Sequence, residues 1–110
     1  MEQIISTPEL QIEAISLKKA ALVFRAINHK LRQQMLQIIH QSGRITVTEL
    51  YIKLRLEQSV ASQHLAILRK AGFVNTERDG KFMFYSINYQ RVKEVERSAT
   101  DLIINSKLAA

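Results

Sequence analysis

The run QSVASQHLAILRKAGFV, Gln58 to Val74, decides the fold. Ala61, Leu65 and Leu68 recur at three- and four-residue spacing, with Val60 and Ile67 nearby, so one face of a helix is built for burial. The other face reads Gln58, Ser59, Ser62, Gln63 and Ala66, where a solvated helix more often shows Lys and Glu. Its cations are held back to Arg69 and Lys70, and Gly72 stops it.

Working upstream, Thr46 is followed three residues later by Glu49, a capping-box pattern in which reciprocal side-chain bonds satisfy orphan backbone donors. It starts a short third helix, about Val47 to Leu54, whose Leu50 and Leu54 match the apolar face of the fourth, with Leu56 and Glu57 as the turn. Two short helices joined tightly, the second polar at its outer N-terminal surface, form a helix-turn-helix over residues 46–72, whose second helix enters the major groove. Downstream, residues 73–87 read FVNTERDGKFMFYSI, two β-branched and aromatic runs flanking Asp79-Gly80, the dipeptide of a type I′ turn. This is a β-hairpin. Met83, Tyr85 and Ile87 share one face of its second strand and Phe82 and Phe84 the other, so both faces should be partly covered.

At the N-terminal end, Thr7, Pro8 and Glu9 form a start signal for a first helix over residues 8–27. Leu10, Ala14, Leu17, Ala21 and Phe24 recur along it at helical spacing, widened by Ile15, Leu22 and Val23. Asn28 should break that helix and start a second, with Leu31, Met35, Leu36 and Ile39 inward and Ser42-Gly43 at its end. Asn88 should cap a last helix over residues 88–107, in which Val92, Val95, Ala99 and Leu102 form a seam with Ile103 beside it. The expected architecture is one domain, residues 1–110, mainly α with a small β-hairpin wing: a winged helix-turn-helix of order ααααββα.

Composition narrows the function. Sixteen Lys and Arg against ten Asp and Glu leave a charge of +6 and a pI near 9.9, which suits a polyanionic partner, although charge alone also serves solubility. The absence of cysteine excludes disulfides, thiolate metal sites and cysteine nucleophiles. The start MEQIISTPEL lacks a signal pattern and no segment approaches the ~18 apolar residues of a membrane span, so the expectation is a soluble cytoplasmic protein without a membrane partner. No Ser/His/Asp grouping, phosphate-binding glycine loop or set of paired metal ligands suggests an enzyme, and no cofactor is implied.

The polar face has a chemistry. Gln bonds both the amino group and N7 of adenine, Ser donates or accepts, and a fitted bidentate pair discriminates by ~1–3 kcal/mol. Gln58, Ser59, Ser62 and Gln63 are therefore the candidates for base readout in double-stranded DNA. Arg44, Thr48, Arg55, Arg69 and Lys70, near helix ends and turns, suit phosphates, and Arg78 and Lys81 at the hairpin tip suit the backbone or minor groove. His64 has two readings, a DNA contact or packing at the edge of the helix-helix contact.

These residues also resemble a family. Gln58-Ser59, Ser62-Gln63-His64-Leu65 and Leu68-Arg69-Lys70-Ala71-Gly72 look like the recognition helix of ArsR-type winged helix-turn-helix repressors. Asp79-Gly80-Lys81 before an aromatic strand, and Asn28-His29-Lys30-Leu31-Arg32 before the second helix, extend the likeness over roughly residues 20–90. The resemblance implies a homodimeric transcriptional repressor joined through its first and last helices and reading a near-palindromic operator. The apolar stripes support such an interface at Leu10, Leu17, Val92, Val95, Ala99, Leu102 and Ile103, with intramolecular core as the alternative for the seam. Family members often sense metals through a cysteine pair in the third helix or Asp and His ligands in the last; neither set is present here, so no metal site is expected. The signal is left as an unknown small molecule or protein effector. A winged-helix protein-interaction module or RNA-binding module is the competing reading.

Overall fold

A computed structural model describes residues 7–104. Five helices carry the architecture: α1 (Ala14–Ile27), α2 (Lys30–Ser42), α3 (Val47–Leu54), α4 (Gln58–Lys70) and α5 (Tyr89–Ile104). Strands β2 (Val74–Asp79) and β3 (Phe82–Ile87) form the wing, and a two-residue β1 (Ile45–Thr46) lies on the far side of β3, giving the sheet order β1-β3-β2. The helices and the hairpin follow the expected order. β1 was not legible, because two residues are too few to show an alternating pattern. It pairs antiparallel with β3, Ile45 opposite Tyr85 and Thr46 opposite Phe84, and so covers the edge of β3; of its two faces, Met83, Tyr85 and Ile87 are at least partly covered, while on the other Phe84 lies under the Arg44 guanidinium and Phe82 is exposed.

The core sits where α2, α3 and α4 meet the sheet: Met35, Ile39, Leu50, Leu65, Leu68 and Phe73 are fully buried. Thr46 closes the expected capping box, its Oγ1 accepting from Glu49 N at 3.2 Å while Thr46 N donates to Glu49 Oε1 at 3.2 Å. Arg55 then takes a left-handed conformation, φ 56°, to turn the chain between α3 and α4. Asn88 does cap α5, accepting from Arg91 N, and it also donates from Nδ2 to Gly72 O at 2.9 Å, which ties the end of α4 to the start of α5.

Three boundaries differ from expectation. α1 begins at Ala14 rather than Pro8, and residues 7–13, all exposed, are not helical. Short helices depend on tertiary burial, and the start signal at Thr7-Pro8 has nothing beneath it; Leu10 is 82% exposed. The second helix is capped by His29 and not Asn28: His29 Nδ1 accepts from Leu31 N at 3.2 Å, and Asn28 ends α1 instead. The hairpin turn is centred on Gly80-Lys81, with Asp79 paired to Phe82. Only Gly80 has positive φ, 65°, which is the type II′ pattern and not type I′, since the latter needs positive φ at both central residues. Of the expected last helix, residues 105–107 lie outside the described residues.

Candidate DNA-binding surface

α4 is held by its buried face, Ala61, Leu65 and Leu68, against α3 and the core. That anchoring leaves Gln58, Ser59, Ser62, Gln63 and Ala66 exposed together on the opposite side. These small dipolar groups carry no net charge, so they match base edges, which present fixed donors and acceptors, better than they match phosphates.

The phosphate candidates stand around this face with differing freedom. Thr48, Arg55, Arg69, Lys70, Arg78 and Lys81 are exposed. Arg44 is engaged: its Nη1 and Nη2 lie 3.4 Å from Glu77 and 3.3 Å from Asp79, and its guanidinium stacks 3.9 Å from the centroid of Phe84. It ties the segment between α2 and β1 to β2 and β3. Such exposed pairs are weak individually, so a phosphate could displace the carboxylates.

His64 does not share the open face. It is partly buried, and its Nδ1 lies 3.2 Å from Arg32 Nη1 while its ring tilts against that of His29 at 5.0 Å between centroids. An Arg N–H only donates, so Nδ1 accepts and the neutral ring carries its proton on Nε2. Burial, then His29, then Arg32 hold the imidazole below its ordinary pKa. Of the two readings, helix-edge packing describes this geometry.

Arg32 is the residue that sequence reasoning passed over. It is buried, with Nε donating to Ala26 O at 2.6 Å and Nη2 to Arg25 O at 3.2 Å. A signal was available: Arg32 stands three and seven residues before Met35 and Ile39, on the apolar stripe of α2. A second is Arg91, whose guanidinium lies over Gly72: the positive φ of Gly72 (85°) is what favours glycine there, while the flexible Arg91 side chain, its Nε 2.9 Å from where a Cβ would stand, is free to move aside.

The interface candidates are divided by burial. Val95 is buried, and Val92 packs on the same core within the chain, so the N-terminal half of the seam serves the intramolecular alternative. Ala99 is half-buried beside a small cleft with Phe24. Leu10, Leu17, Leu102 and Ile103 are exposed, with Leu17 at 58% and Leu102 at 65%. Among the described residues, no group of three or more His, Cys, Asp or Glu gathers as a metal site, and no helix is long and apolar enough to cross a membrane.

A polar helix face on a buried support, flanked by cations and a basic-tipped hairpin, defines a winged helix-turn-helix DNA-binding regulator. Comparison with known proteins agrees. Residues 29–76 match the model of the bacterial regulatory protein arsR family. A helix-turn-helix transcriptional regulator of Methanocaldococcus jannaschii is 34% identical over 85 residues, 77% of this chain and 96% of the relative. The transcriptional activator HlyU of Vibrio cholerae is 37% identical over 75 residues, 68% of each chain. The homodimeric winged helix-turn-helix domain of a Mycobacterium bovis protein shares the fold, with a TM-score of 0.71 at 21% identity over 94% of both chains. The chain belongs to the arsR family and is a DNA-binding transcriptional regulator.

Proposed function

We propose that the protein works as a homodimer that binds a near-palindromic operator and represses the adjacent gene by covering its promoter. The observation that carries the reading is the exposed face of α4, four polar side chains free of charge above a fully buried support. Gln58, Ser59, Ser62 and Gln63 read bases. Thr48, Arg55, Arg69 and Lys70 hold phosphates, Arg78 and Lys81 reach backbone or minor groove from the wing, and Arg44 sets the wing's angle. His64 supports α4 from behind.

The dimer follows from apolar surface that one chain leaves bare. Ile15, Leu17 and Leu22 of α1 and Leu102 and Ile104 of α5 are all more than 40% exposed, more apolar surface than a small monomer usually leaves in water. The homodimeric state of the Mycobacterium bovis domain is consistent with joining α1 and α5 across a two-fold axis. Recognition helices in such a dimer stand about one DNA turn, ~34 Å, or a multiple of it apart. Repression is the simplest outcome of promoter occlusion; the Vibrio cholerae relative is named a transcriptional activator. The site of action is the cytoplasm, where the operator is.

Selection of bound sequences from a random duplex library tests this. An enriched inverted repeat, protected as a two-fold footprint and released steeply by salt, is the expected result. A library that returns no enriched repeat would overturn the proposal.

A further inference from the structure

Arg32 spends its buried guanidinium on a junction. Two of its nitrogens hold the carbonyls of Arg25 and Ala26 at the end of α1, and a third reaches across to His64 on α4. Among the polar contacts of the described residues, no other side-chain hydrogen bond joins α4 to α2. The remainder of that packing is apolar, and apolar contact fixes a helix's depth better than its rotation about its own axis, since it has no direction.

We propose that Arg32 is a positioning residue for the recognition helix, fixing the rotation of α4 through His64 Nδ1, and that a proton on Nδ1 breaks this link and lowers operator affinity. The proposal rests on α4 being the DNA-reading helix. A small rotation matters there, because Gln58, Ser62 and Gln63 must meet base edges with hydrogen-bond geometry that weakens steeply with angle. Protonation turns Nδ1 from acceptor into donor, so two N–H groups, each on a cation, then face one another.

α1, α2, α3 and β2 pack on α4, and of their charged groups among the described residues only Arg32, with His29 in the turn before α2, acts on the His64 ring. No carboxylate offsets them, and both favour the neutral, accepting ring at neutral pH. The operator-binding form is therefore the deprotonated one, and acidification works against it. This is the reverse of what a phosphate-binding histidine would do.

The test measures the Kd of a selected operator by fluorescence anisotropy at fixed salt, from about pH 8 to about pH 5.5, the interval that spans imidazole titration. Wild type is compared with H64Q, which keeps an acceptor for Arg32 but does not titrate, and with H64A, which has neither; circular dichroism confirms folding at each pH. Wild type is expected to lose about tenfold more affinity on acidification than H64Q, the scale of one hydrogen bond to a charged group. H64A should bind weakly even at high pH and H64Q nearly as well as wild type. Parallel profiles for wild type and H64Q, or tighter wild-type binding in acid, would overturn the link. Failure of the wild type to bind any duplex specifically near pH 8 would instead overturn the reading of α4, and the link with it.

Discussion

Single side chains on α4 do separable things. Gln63→Ala should cost about 1–3 kcal/mol at one operator position and relax the base preference there, which binding to a panel of single-base operator variants would reveal. Arg69→Ala should weaken binding almost equally across all variants and reduce the salt slope by about one, read from Kd against salt concentration. His64 bears on stability as well. Its folded pKa lies below the ordinary value of 6.5, so the unfolded chain takes up the proton first as pH falls. Stability is fully present above that ordinary value and is lost as pH drops through the folded one. Denaturation midpoints for wild type should fall on acidification more than those of H64Q; equal falls would contradict the assignment.

Elements here are held by devices of unequal visibility. The capping box that starts α3 was legible as Thr46 and Glu49, because both partners lie within one turn of sequence. Thr46→Ala should destabilise the fold by about 1 kcal/mol in urea titration. Leu68→Ala, in the fully buried face of α4, should cost more, about 2–5 kcal/mol, since the cavity cannot refill. The hairpin was legible but its turn was not: Asp79-Gly80 is compatible with two registers, and pairing of Asp79 with Phe82 selects the one in which Gly80 alone needs positive φ. Placement of the cap at His29 in place of Asn28 is of the same kind, since Asn28 is taken up as the C-cap of α1 and His29 begins α2.

For the whole molecule, bare apolar surface is the dominant fact. The radius of gyration, 19.3 Å, exceeds the ~13 Å of a compact chain of this length, and residues 7–22, which include the first part of α1, are all exposed. In the dimer proposed above, a second copy would cover α1 and the end of α5. Replacing Leu17 and Leu102 together by Asp should shift sedimentation from dimer to monomer and remove two-fold operator footprinting, while a monomeric wild type would contradict the dimer.

The sequence by itself determined the helix-turn-helix, the wing and the polar face of α4, since each rests on local periodicity or on capping and turn residues close together in the chain. Tertiary structure decided the rest. It sent Val92 and Val95 into the chain's own core, left Leu102 outside, drew Arg44 onto the wing, and buried Arg32 against His64. Those outcomes depend on contacts between residues more than thirty positions apart, or on which neighbour covers a stripe, and helical spacing gives the direction of a side chain without naming what it will meet. For that reason the surface proposed to read DNA was visible in Gln58 to Val74, while the Arg32–His64 contact behind it was not.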